Sequence, residues 1–157
     1  MLTHRKNILD IFHLGPHQVG IFREPFDLVE TLTGYELTPV DGQPEQWTFR
    51  NPQTGRRGRM LDMGGFLSQE PIALNTEARA YLITRQDFTL ALIFPGKPRR
   101  IHLNQSRYTV LEKPEKAGFP SHWPPDMFGR VIRMRFKNIA LLNEAFLLEQ
   151  IGLRGTL

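Results

Sequence analysis

The chain has 157 residues, 40% of them hydrophobic and 23% charged, which excludes wholesale disorder and suits one domain with a real core. It has no cysteine, so disulfides, thiolate metal sites and thiol catalysis are excluded together. Lys and Arg exceed Asp and Glu by 20 to 16, a net charge of +4 that suits a polyanion without demanding one.

In chain order, Thr3 to His13 reads as a short helix that Thr3 can cap, with Ile8, Leu9, Ile11 and Phe12 on its apolar side. Gly15-Pro16 stops it. Asp10, His13 and Pro16 interrupt the stretch behind the basic start, so no signal peptide is expected. Gln18 to Arg23 reads as a strand. Phe26 to Leu32 has the length of a strand, although Asp27, Glu30 and Leu32 also suit a turn of helix, and is taken as a strand. Tyr35 to Val40 reads as another, ended by the turn signal Asp41-Gly42. Gln46 to Arg50 and Gly58 to Asp62 flank Asn51 to Gly55 as a hairpin. A Gly- and Pro-punctuated loop is expected from Met63 to Thr76.

The stretch from Arg79 to Phe136 is a run of short pieces rich in β-branched and aromatic residues, closed by Gly, Pro, Asn or Asp, and it predicts strands and turns. Phe88 to Phe94 is apolar on both faces and is expected at a sheet centre. Lys113 to Met127 holds four prolines and is expected as an extended surface loop that exposes Trp123. In Phe128 to Lys137, Ile132, Met134 and Phe136 are expected on one face, with Arg133, Arg135 and Lys137 on the other. Asn138 then caps a helix to about Gln150. Ile139, Leu142 and Phe146 form one stripe on it, Leu141, Ala145 and Leu148 a second, and Leu147 widens the arc. A helix with two apolar stripes has its own core and a partner to satisfy. No internal repeat is apparent.

Chemistry is hard to find. His13 and His17 are separated by Gly15-Pro16 and cannot share a helical face as a zincin pair would. His102 is expected to point outward from a strand. No nucleophile elbow or phosphate-cradling glycine loop is present. No catalytic, cofactor or metal residue is therefore named, no cofactor is expected, and the chain is expected not to be an enzyme. The longest apolar runs, such as Leu90 to Phe94, fall far short of the roughly 20 residues of a membrane span, so no membrane partner is expected. Arg56, Arg57, Arg59, Arg133 and Arg135 are candidates to face nucleic acid, although cations on strands also protect sheet edges. Trp123, Leu141, Leu147 and Leu148 are candidates for a protein interface.

The layout resembles the small head–tail joining (neck or tail-completion) proteins of tailed bacteriophages. The resemblance rests on the helix THRKNILDIF, on Gly58 to Asp62 at the place of that family's turn, and on the strand Ala80 to Asp87. It continues through Pro98 to Leu103 and Gln105 to Val110 as a strand pair, and Gly118 to Phe136 as the long turn and closing strand. It spans residues 3–136; the Pro-rich loop at 113–127 is longer than the pattern and the last helix is an addition. It implies a structural connector that forms homo-oligomeric rings, docks to neighbouring structural proteins, touches DNA non-specifically, and resides in a virion assembled in the bacterial cytoplasm. The expectation is thus a single mainly β domain over residues 1–157, a small barrel or sandwich of α+β class with a helix at each end. The alternatives are a nucleic-acid-binding small β-barrel and a one-to-one protein-binding module of inhibitor or immunity type.

Overall fold

A computed structural model of the chain describes residues 8–24, 26–68, 78–85, 88–111, 118–121, 123, 125–146 and 149. The fold is mainly β with short helices, as the composition of the strands predicts. Its strands are β1 (Ile8–Leu14), β2 (His17–Phe22), β3 (Leu28–Thr31), β4 (Glu36–Val40), β5 (Gln43–Arg50), β6 (Arg57–Asp62), β7 (Arg79–Arg85), β8 (Phe88–Phe94), β9 (Arg99–His102), β10 (Thr109–Leu111), β11 (Phe128–Met134) and β12 (Lys137–Leu142). One helix, α1 (Met63–Ser68), follows β6.

The strands sort into two units within the expected domain. One is a six-stranded sheet ordered β10-β11-β12-β2-β1-β9; the other is ordered β4-β5-β6-β8-β7-β3 and carries α1. Read in these directions the two orders have the same pairings. Every pair is antiparallel except the central one, β12 with β2 and β6 with β8. The strands β3 to β8 thus have the pairing of β9, β10, β11, β12, β1 and β2, a circular permutation. The likeness continues past the strands. Asp62 ends β6 and its Oδ1 accepts from the N–H of Gly65 at 3.0 Å, capping α1. Asn143 follows β12 and its Oδ1 accepts from the N–H of Phe146 at 3.3 Å, capping the helical residues 144–146.

Each unit has its own core. In the β3–β8 unit, Leu32, Phe49, Met60, Ala80, Leu82, Ala91 and Ile93 pack together, while Tyr81 on β7 meets Phe26 and Phe94 edge-on. In the other unit, Leu9, Ile11, Leu103, Ile132, Ile139 and Leu141 form the cluster. Asp10 is fully buried on β1, where its carboxylate accepts from Arg100 Nε at 3.1 Å and Arg23 Nη1 at 3.4 Å. Two cations on a buried carboxylate offset its desolvation, so the group ties β9 and the end of β2 to β1.

Three local expectations change. Residues 8–13 form β1 and not a helix. Leu9, Asp10, Ile11 and Phe12 are all buried, so both strand faces are covered and the alternation that marks a strand is lost. Residues 138–142 belong to β12 for the same reason: Ile139 to Leu142 are buried in succession. Over this stretch the apolar residues divide by alternation instead, with Ile139 and Leu141 on one face of the strand and Ala140 and Leu142 on the other. Residues 63–68 form α1 where a loop is expected, since Asp62 supplies a cap.

Candidate protein-binding surface

The expected basic residues fall on equivalent hairpins of the two units. Arg56, Arg57 and Arg59 lie on the β5–β6 hairpin, and Arg133 and Arg135 on the β11–β12 hairpin. Arg56 is engaged: its Nη1 donates to Glu30 Oε1 at 3.3 Å, an oxygen that also accepts from the Tyr35 hydroxyl. Arg59 Nη1 donates to Gln46 Oε1 at 3.4 Å, and Arg57 is exposed. The interface candidates fare differently. Leu141 is 7% exposed within the core cluster, so its apolarity is satisfied internally. Leu147 and Leu148 lie outside the described residues.

Trp123, expected on the surface, is buried at 6% exposure. Its ring stacks on Phe119 at 5.4 Å between centroids, lies 5.0 Å from Phe128 at the start of β11, and meets His17 edge-on at 5.3 Å. The described residues 118–121 and 123 place two rings against the start of β11. Truncating Trp123 to alanine removes the centre of this stack and should cost about 3 kcal/mol. The expected readout is a lower thermal midpoint with loss of the near-ultraviolet aromatic dichroism.

The opposite end of β11 is built otherwise. Met134 pairs with Lys137, leaving Arg135 and Phe136 as the two central residues of a tight hairpin. Both have positive φ, 49° and 67°, as a type I′ turn requires. That conformation suits Asn-Gly; it costs a residue with a Cβ about 1 kcal/mol or more. β11 ends at Met134, three residues before the expected end at Lys137, so Phe136 does not share the inward face of Ile132. It stands 97% exposed.

Toward this turn Arg107, Arg133, Arg135 and Lys137 are exposed, as is Arg130 further back along β11, and Arg133 Nε donates to Asn138 Oδ1 at 2.9 Å across the hairpin. Beside β11 runs β10, the last strand of this sheet among the described residues. Val110 on it and Tyr108 just before it are about half exposed, at 46% and 45%. Sequence reading missed Phe136, Tyr108 and Val110 because alternation put Phe136 inside and nothing in Met134 to Lys137 spells a turn. Apolar groups inside a cationic rim, next to a strand edge, are suited to binding a polypeptide. Among the described residues no group of three or more His, Asp or Glu is placed to hold a metal ion. Nor, among them, is any helix long and apolar enough to cross a membrane.

No family model matches the chain, and no curated protein does. Among solved structures it is similar to the scaffolding protein TtCheW from Thermoanaerobacter tengcongensis. That match has a TM-score of 0.58 at 13% identity and covers 88% of this chain and 84% of the other. This is a likeness of fold. It corrects the expected function, since the matched fold is that of a scaffolding protein and not of a phage head–tail connector. The motive for ring neighbours is weakened as well, because residues 138–142 of the expected helix are β12, with Ile139 and Leu141 in a core, although 144–146 are helical. Neither alternative expectation, a nucleic-acid-binding barrel or an inhibitor-type module, is carried forward.

Proposed function

We propose that this chain is a protein-interaction scaffold or adaptor that acts by binding polypeptide partners and not by catalysis. The observation that carries the reading is Phe136, an aromatic ring held almost wholly in solvent by two left-handed residues amid exposed cations. A turn that breaks local preference at such a place is the usual mark of a site kept for binding. The fold shared with a scaffolding protein supports the same reading. The test is affinity purification from the cells that encode the chain, followed by native mass spectrometry. A scaffold should emerge in a complex with at least two other polypeptides at fixed stoichiometry. Recovery of the chain alone, over a range of salt and protein concentration, would overturn the reading.

A further inference from the structure

We propose that β10 and the Arg135–Phe136 turn together receive an acidic, apolar-bearing segment of a partner protein, which adds to the sheet as a further strand. This rests on the scaffold reading and names the chemistry of the partner.

Three observations converge. The first is the strand edge. Among the described residues β10 pairs with β11 on one side and is the last strand of the sheet on the other, so another chain could pair with its outer backbone groups. Its counterpart in the other unit, β4, is blunted: Pro39 lacks an N–H, and the register with β5 shifts between Pro39 and Val40. β10 is Thr-Val-Leu, with neither proline nor charge to discourage pairing.

The second is charge. β10, β11 and β12 contain no acidic residue, while Arg107, Arg130, Arg133, Arg135 and Lys137 are all exposed there. Among the described residues of these three strands a segment laid beside β10 would meet only cations, so Asp or Glu on the incoming strand is favoured over Lys or Arg. The third is the pair of apolar groups, Tyr108 with Val110, and Phe136 at the hairpin tip. They offer anchors for alternate apolar side chains of that strand. A lipid headgroup or a nucleic-acid base would use the cations and the ring but has no use for the ladder positions of β10. The edge therefore favours a polypeptide.

The strained turn allows binding and folding to be separated. Arg135→Asn with Phe136→Gly installs the preferred residues of this turn and should raise the melting temperature by about 3 °C. The same double variant removes the ring and one cation, and should weaken partner binding about tenfold or more. The probe is a ten-residue blocked peptide that alternates Glu with Val and Phe, titrated by fluorescence anisotropy against the full chain. Wild type should bind it, more weakly as salt rises. A version N-methylated on the amides of one edge should lose at least tenfold, as should the double variant, while Arg57→Glu on the β5–β6 hairpin changes nothing.

Equal affinity for the N-methylated peptide would overturn strand addition, and equal loss in Arg57→Glu would overturn the location. Tighter binding to phosphatidylserine vesicles or to a single-stranded oligonucleotide would replace the partner class. A doubled mass lost in the double variant would make a second copy the occupant. If the peptide fails while the purified multi-protein complex persists in the double variant, this inference fails and the scaffold reading stands. If no complex exists either, both fail.

Discussion

Gly58→Ala is expected to destabilise the β3–β8 unit severely. Gly58 sits on β6 opposite Thr89 of β8, at the parallel junction between the two halves of that sheet. A Cβ there would lie 1.7 Å from the Thr89 carbonyl oxygen and 2.6 Å from its carbon. The obstacle is backbone at the centre of a sheet, so no rotamer change relieves it, and β6 and β8 would have to separate. Overpacking of this kind costs about 3 kcal/mol or more, a large part of the roughly 5–15 kcal/mol that holds a domain folded. The companion site provides the control. Gly20 lies on β2 at the other parallel junction, where an added Cβ meets Leu9 Cδ1 at 3.0 Å and Ile139 Cγ2 at 3.2 Å. These are side-chain methyls at the edge of contact and not backbone, and the Leu9 end can shift, so Gly20→Ala should cost only about 1 kcal/mol. Thermal melts and soluble yield of the two variants check the contrast. A Gly58→Ala protein that melts within two or three degrees of wild type would mean that β6 and β8 do not approach as described.

The parts of this fold that could be read in the sequence are those whose signals are local. Asn51 to Gly55 reads as a hairpin because Asn51 can serve its own turn. Its Oδ1 accepts from the N–H groups of Gln53 and Thr54, and its carbonyl from that of Gly55. Gly42 takes the positive φ that Asp41-Gly42 announces. β8, uncharged and apolar but for Thr89, lies near the sheet centre, as apolar residues on both of its faces imply. Signals that depend on distant chain were illegible. β1 and β12 are buried on both faces, so each imitates an apolar helix, and only their neighbours β2, β9 and β11 show otherwise. The repetition between the two units is hidden because pairing is repeated and side chains are not; Asp62 and Asn143 are among the few chemical echoes. Permutation hides it further, since β1 and β2 stand at one end of the chain and their sheet mates β11 and β12 at the other.

The surface was half legible. Basic residues could be counted, but a tie such as that of Arg56 to Glu30, 26 residues away, cannot be seen from composition. Phe136 shows the same limit from the other side. Alternation fixes which face a residue takes only while the strand continues, and here a turn without glycine or asparagine ends it at Met134.

Between pH 5 and 8 the protein should lose stability through Glu144, and Glu144→Gln should remove that loss. Burial pushes the Glu144 carboxyl up from an ordinary 4.5 to about 7, against the N–H groups of Glu144 itself and of Phe22, which favour the charged form. Its Oε1 accepts from the Phe22 N–H at 3.2 Å, which joins the helical residues after Asn143 to the end of β2. Because the folded value lies above the unfolded one, the native state holds a proton that the unfolded chain releases. Its stabilising effect is complete below pH 4.5, falls as the pH rises toward 7, and levels off once the native carboxyl ionises too. The full difference corresponds to about 3 kcal/mol. Glutamine keeps a carbonyl oxygen for the Phe22 N–H and cannot ionise, so the variant should match wild type at pH 5 and exceed it by about 2–3 kcal/mol at pH 8. Urea midpoints at the two pH values decide the matter. Parallel pH profiles for wild type and variant would show that the proton resides elsewhere. A variant weaker at pH 5 as well would show that the amide cannot take the carboxyl's place against β2.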